Sequence, residues 1–277
     1  MAKRFTYYGN AFDSDAQAFI DAALITGANQ QSVLNTFVLM LKGTGTTNSS
    51  NLFSKIYALY PYCPIDESTA TATAYSYNLI NPATFQIAWT GFVSGNYTVN
   101  GVIGGSGKYG RSGFIPSVSG DIDSLALTAY SRTDTANNST ALGCRINSTT
   151  GNTFLQPRLV SGNKLSARIS SLASNTQSTS TVTSLGLLTG NRTDALTVSM
   201  YKNGVNVGER TNIANNSLCT FEAYVHAYNN SGSAASNDTR EYAGFSIHQG
   251  FTVNEMADFF EAWDYYQTNI ISGGRNV

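Results

Sequence analysis

Charge is scarce in this 277-residue chain: Asp, Glu, Lys and Arg make up 12% of it, against a usual share of about 25%. The formal net charge is −1, and no basic run is longer than Lys3-Arg4. Neutralising a phosphate backbone takes clustered Lys and Arg, so this composition argues against direct nucleic-acid binding. Cysteine is scarce too. Cys63, Cys144 and Cys219 lie far apart, odd in number and without a CxxC pair. That argues against a disulfide framework or a zinc site and predicts free, mostly buried thiols. No stretch reaches the roughly 18 apolar residues of a membrane-spanning helix. The segment MAKRFTYYGN (1–10) lacks the apolar run, roughly 7–15 residues long, of a secretory signal. It therefore predicts synthesis and folding in a cytoplasm. The sequons at Asn96-Tyr97-Thr98 and Asn191-Arg192-Thr193 then read as chance products of an Asn/Ser/Thr-rich chain.

Catalytic patterns are missing as well. A serine-nucleophile elbow G-x-S-x-G does not occur. GGSGKYG (104–110) fails as a phosphate loop, because Val102 stands where the first glycine belongs and Tyr109 where Ser or Thr should follow the lysine; it reads as a glycine-rich hairpin or loop. Jelly-roll glucanases carry an E-x-D-x-x-E pair on one strand, and Glu222 and Glu241 have no such partners. The two histidines cannot build a typical histidine-based metal site without carboxylates, and the sequence places none beside them. The expectation is a non-enzyme with no catalytic residue, no cofactor and no metal.

The chain does have helix signals at both ends and strand signals between. In FDSDAQAFIDAALITGANQQSVLNTFVLMLKG (12–43), Ser14 and Gln17 have capping-box spacing, and Ala16, Phe19, Ile20, Ala23 and Leu24 fall on one helical face. A second helix aligns Val33, Leu34, Phe37, Val38 and Leu41 and stops at Gly43. Two faces this small cannot stand alone, so they must pack on each other and on something larger. LFSKIYALYP (52–61) adds a short apolar face of Leu52, Ile56 and Leu59.

From about residue 70 the period changes to two. TFQIAWTGF (84–92), LALTAYS (125–131) and ALTVSMY (195–201) read as strands, and Asn203-Gly204 reads as a type I′ hairpin turn. Segments 43–51, 133–153 and 170–184 read as loops. The end turns helical again: Thr252 and Glu255 have capping-box spacing, and Met256, Phe259, Phe260, Trp263 and Ile270 form one stripe.

Two resemblances rest on these residues. The order ALTVSMYKNGVNVG, CTFEAYVHAYNN, EYAGFSIHQGFTVNEMADFFEAW within 191–262 resembles the closing section of a concanavalin A-like, laminin-G-type jelly roll. The calcium pattern usual in that family is not evident. Asp121-Ile122-Asp123 is the nearest candidate, and it reads as a solvated turn. The pieces DSDAQAFIDAALITGANQQSVLNTFVLMLKG, LFSKIYALYP and the closing YYQTNIISGGRNV resemble structural proteins of tailed bacteriophages, of tail-fibre, spike or head-fibre type. Together the resemblances cover roughly half of the chain; residues 70–190 resemble nothing specific.

The fold class so implied is mainly β: a concanavalin A-like jelly-roll sandwich over 66–277 ending in a helix, with a helical module over 1–65 that packs on it or anchors it. The function implied is a virion structural protein, made in the host bacterial cytoplasm. It would assemble with other virion proteins as a homo-oligomer, a trimer by analogy with fibres and spikes. Adhesion to a host-surface glycan is a further expectation, and a carbohydrate-binding receptor-recognition lectin domain is the alternative; a glycan hydrolase is a third reading.

Strand alternation supplies a candidate surface. If the three late strands share a sheet, its polar face carries Tyr201, Tyr224, His226, Tyr228, Tyr242 and His248. Aromatic rings flanked by hydrogen-bonding groups suit sugars, whose CH faces stack while their hydroxyls pair. The same residues suit an interface with the N-terminal helices or a neighbouring subunit, where tyrosine is common.

Overall fold

The computed structural model describes residues 11–44, 50–172, 177–181 and 183–277. The readings made of MAKRFTYYGN and of the centres of the 43–51 and 170–184 loops lie outside these residues.

The helix pair forms as expected in outline. Helix α1 spans Ser14–Ala23 and α2 spans Ala28–Leu41. The cap differs: Asp13, not Ser14, is the N-cap of α1. Its carboxylate accepts the Asp15 amide at 3.0 Å and pairs with Lys42 at 2.6 Å, while the Gln17 side chain turns outward to Asp21. Ala16, Phe19, Ile20 and Ala23 are buried. Leu24, expected beside them, is 64% exposed because it closes the helix in the left-handed conformation and turns away from the core. In α2 all five residues of the expected apolar face are buried.

The strands, in chain order, begin with β1 (Ile56–Tyr60), β2 (Ala88–Thr90), β3 (Tyr97–Thr98), β4 (Gly101–Ile103), β5 (Tyr109–Arg111), β6 (Leu125–Ser131), β7 (Leu142–Arg145) and β8 (Asn152–Leu159). They continue with β9 (Lys164–Ser171), β10 (Gln177–Ser180), β11 (Gly186–Arg192), β12 (Val198–Lys202), β13 (Val205–Arg210), β14 (Tyr224–Val225), β15 (Tyr228–Asn230), β16 (Ser233–Ala235) and β17 (Glu241–His248). Short helices α3 (Ala72–Ser76) and α4 (Pro116–Ser119) lie in the connections, and α5 (Val253–Asn269) closes the chain.

Among the described residues these strands form two sheets that pack as a jelly-roll-like β-sandwich. One sheet runs β13-β12-β11-β6-β17-β4-β3, with β1 also on β17. The other runs β10-β9-β8-β7-β14-β5-β2, with β15 and β16 attached through β7. Pairing is antiparallel except between β15 and β7. The sheets meet closely at Gly190, where an added Cβ would sit 2.4 Å from the Ala167 Cβ. Arg192 crosses the same gap: its Nε donates to the Ile169 carbonyl at 2.8 Å. Gly104–Lys108, once a phosphate-loop hint, is the turn that carries the chain from one sheet to the other.

The outer face of the first sheet lies under helices. Trp263 of α5 presses on Gly244 of β17 and packs near Tyr130 of β6. Phe37 of α2 meets Trp263 and Tyr266 at 5.4 and 4.7 Å between ring centroids. The Thr252/Glu255 capping box is present at the start of α5. We call this the covered sheet and the other the open sheet.

Several strand readings change. LFSKIYALYP is a 3₁₀ turn at Phe53–Lys55 followed by β1, so part of the expected helical module belongs to the covered sheet. The segment 84–92 contributes only β2. The expected loops 133–153 and 170–184 contain β7, the start of β8, the end of β9 and β10, because cross-strand pairing of β7 with β8 and of β10 with β9 orders segments too polar to show an apolar period. LALTAYS is β6 as expected, and Asn203 (φ 49°) and Gly204 (φ 75°) take the two positive-φ positions of the hairpin turn. All three cysteines are buried and free. Asn96 and Asn191 are buried, and Asn191 bonds Phe251 through both side-chain atoms, so neither sequon is accessible in the fold.

Candidate functional site

The six residues placed on one polar face are divided among three layers, and all are at least nine-tenths buried. Tyr201 and His248 lie on the helix-covered side. Tyr201 pairs in register with Thr189, and His248 stacks on Phe251 at 4.1 Å and reaches Phe259 of α5 at 5.1 Å. His226 and Tyr242 lie between the sheets. Only Tyr224 and Tyr228 face outward, on the open sheet.

Two local events break the expected alternation. His226 adopts φ 60°, which turns its ring inward to within 5.2 Å of Tyr242 and 5.4 Å of Phe245. A register shift between Tyr242 and Gly244 moves Tyr242 to the inter-sheet side. There its hydroxyl donates to Asp238 Oδ2 at 2.6 Å, beside the fully buried Asp238–Arg240 ion pair. Burial pushes the Tyr242 hydroxyl pKa up, and pushes His226 down to about 3 and His248 to about 4, so both rings are neutral near pH 7. These groups are core, not ligand contacts.

The open sheet is different. Register places Arg111, Tyr224, Gly143, Phe154 and Arg168 side by side across β5, β14, β7, β8 and β9. Directly opposed residues share a face. The neighbouring row Val225, Leu142, Leu155, Ala167 is fully buried and meets the covered sheet through Ala167. The row containing Tyr224 therefore points to the outside of the sandwich.

An open pocket of about 590 Å³ sits at the β5 end of this row. Tyr109 and Tyr224 stack at 4.9 Å with 23° between ring planes. Tyr109 is the more exposed of the two, and Tyr224 backs it. Arg111, its side chain 55% exposed, holds Glu222 at 2.7 Å through both Nε and Nη2. The other Glu222 oxygen accepts the Gly113 amide at 2.9 Å. This carboxylate pushes the Arg111 pKa up, keeping the guanidinium charged. Asn229 donates to the Glu222 carbonyl at 3.0 Å and accepts from the Gly232 amide at 2.7 Å, which ties the β15 hairpin to the pocket wall. Ile115, Thr220 and Phe221 complete the lining.

Of the six candidates, Tyr224 alone lines this pocket. Alternation along single strands misses Tyr109, Arg111 and the role of Glu222. Tyr109 and Arg111 sit at the end of the glycine-rich 104–110 stretch, where Y-x-R is too short a pattern to announce a strand. Asp121 accepts the Asp123 amide at 2.9 Å, and Asp123 accepts from Asn215, so the nearest calcium candidate is a self-bonded turn. Among the described residues no group of three or more His, Cys, Asp and Glu is placed to hold a metal. No described helix is long and apolar enough to cross a membrane.

No protein-family model and no curated protein matches the chain. Solved structures do. A mutant of Trypanosoma rangeli sialidase displaying trans-sialidase activity matches over 86% of this chain and 38% of its own, at 12% identity and TM-score 0.49. The binding domain of botulinum neurotoxin serotype D matches over 76% and 52%, at 11% identity and TM-score 0.49. Domain 4 of AbnA, an extracellular arabinanase of Geobacillus stearothermophilus in complex with arabinotriose, matches over 74% and 98%, at 16% identity and TM-score 0.38. This chain thus spans under two fifths of the sialidase and about half of the toxin domain, and what it is similar to in them is a partial chain path.

Proposed function

We propose that this protein binds carbohydrate in the Tyr109/Tyr224 pocket of the open sheet, without catalysis, as a structural component of a bacteriophage particle. The pocket carries the reading. It pairs a partly exposed aromatic ring with a guanidinium, a carboxylate and an amide on its rim. A sugar ring needs that combination: an apolar surface for its CH face and fixed polar groups for its hydroxyls. Glycoside hydrolysis by a carboxyl pair needs two such groups. Glu222 is the one carboxylate in the lining, and both its oxygens are already engaged. The particle role rests on the resemblance of 13–43, 52–61 and 265–277, segments that carry no pocket residue.

Glycan-array binding tests the first half. Purified protein should bind at least one bacterial surface glycan, and Tyr109→Ala should weaken that binding about tenfold, roughly 1.4 kcal/mol. Tyr109 is partly exposed, so the fold should survive. A silent array, or a Tyr109→Ala protein that binds undiminished, removes the pocket reading. Mass spectrometry of purified particles tests the second half: a chain absent from them has no structural role there.

A further inference from the structure

The lining of the Tyr109/Tyr224 pocket divides by chemistry. Arg111 and Glu222 are its two charged residues, and they are paired with each other. The ionised groups of the lining therefore cancel. Each still has hydrogen-bonding capacity beyond the pair, since a guanidinium carries five N–H groups and a carboxylate oxygen takes two hydrogen bonds. Arg111 spends Nε and Nη2 on Glu222 Oε1, and its Nη1 has no acceptor among the described residues. Glu222 Oε2 accepts one bond, from the Gly113 amide at 2.9 Å. The rim thus offers a donor and an acceptor side by side, and the charge-assisted pair holds both in place.

The wall beside them is apolar. Ile115 and Phe221 line the pocket, half-buried, with no polar atom in their side chains. Phe221 directly precedes Glu222 in the chain. The Ser112 amide donates to the Ala223 carbonyl at 3.2 Å, and the Ala223 amide donates to the Phe114 carbonyl at 2.8 Å. These bonds hold the two segments together, so ion pair and apolar wall keep a fixed relation. A sugar hydroxyl puts its donor and acceptor on one oxygen and has nothing to bury against Ile115 and Phe221. An acetamido group separates the three functions: a carbonyl oxygen for Arg111 Nη1, an N–H for Glu222 Oε2 and a methyl for the wall. A sugar carboxylate gains little here, because Arg111 is already neutralised and Glu222 repels a second anion.

We infer that the ligand of this pocket is an uncharged N-acetylated amino sugar, stacked on Tyr109, with its acetamido group against the Arg111–Glu222 pair and the Ile115/Phe221 wall. The inference rests on the pocket reading above.

Methyl glycosides of N-acetylglucosamine, N-acetylgalactosamine, glucose, galactose and galacturonate, competing with the array-bound glycan for the full chain, test it. At least one acetamido sugar should compete about tenfold better than its hydroxyl counterpart, through the buried methyl and the added hydrogen bond together. Galacturonate should compete no better than galactose. Glu222→Gln, which removes the acceptor and leaves Arg111 unpaired, should erase the acetamido advantage and admit galacturonate. Ile115→Ala should shrink the advantage to about threefold. Equal competition within both pairs, or galacturonate as the best competitor, overturns the acetamido inference and leaves the pocket reading standing. So does an advantage undiminished in both variants, with urea melts showing at least one of them folded. A silent array removes both readings.

Discussion

Arg275→Ala should destabilise the protein by about 3–5 kcal/mol, because it removes the donors of several buried acceptors at about 1–3 kcal/mol each, partly relieved by relaxation. Arg275 is 1% exposed near the end of the chain. Gly273 (φ 85°) and Gly274 (φ 71°) turn the segment back after α5, and the Arg275 amide donates to the Gln267 carbonyl at 2.8 Å. The guanidinium then donates to the carbonyls of Tyr62 (2.9 Å), Val99 (3.1 Å), Pro61 (2.8 Å) and Ala243 (3.3 Å), and to Gln267 Oε1 at 2.5 Å. One side chain thus ties the end of β1, the β3–β4 turn, β17 and α5. Alanine leaves these acceptors buried without donors, each costing about 1–3 kcal/mol before relaxation. Lysine restores the charge but offers a point donor in place of a planar fork, so Arg275→Lys should recover only part of the loss. Urea unfolding measures it: the midpoint should fall with the m-value unchanged. A loss under about 1 kcal/mol would mean that the tail is not a structural clasp.

Acid should weaken the fold well above the carboxylate range. His226 and His248 are depressed from 6.5 to about 3 and about 4. In both, burial is the main cause, opposed weakly by Asp238 for His226 and by the Gln249 carbonyl for His248. Neither ring nitrogen of His226 has a hydrogen-bond partner among the described residues, so nothing shelters a proton there. The unfolded chain takes up protons below its ordinary histidine value and the folded chain does not. Stability is therefore fully present above about pH 6.5 and is lost as pH falls towards the folded values. At about 1.4 kcal/mol per unit for each group, moving from pH 7.5 to 5 should cost about 4 kcal/mol for the pair. That is a large part of a typical folding free energy. Urea melts across this range measure the slope, and His226→Gln should roughly halve it. A stability flat between pH 7.5 and 5 would show that the rings can be charged in the fold.

The elements most legible in the sequence are those whose signals are local. The apolar face of α2, the Thr252/Glu255 box of α5, the Asn203-Gly204 turn and the run LALTAYS each depend on residues within a turn or two of one another, and each is found. The misreadings occur where a short segment carries too few residues to show a period. Ile56–Tyr60 has an apolar spacing that also fits a helix, and pairing with β17 decides that it is a strand. At the site, alternation along 221–228 is right for Tyr224 and wrong for His226, because a single left-handed residue resets the face.

By itself, then, the sequence determines a mainly β chain with helices at both ends, sparing in charge, with aromatic side chains on its late strands. Only the tertiary structure decides which of those aromatics meet solvent. Tyr109 and Arg111 reach Tyr224 and Glu222 across more than 100 residues, by a pairing of two short strands that local periodicity does not encode. Whether a strand face is core or surface depends on what packs against it. Helix α5 buries the face holding Tyr201 and His248, the inter-sheet gap takes His226 and Tyr242, and the uncovered sheet leaves Tyr109, Arg111 and their row of arginines facing out.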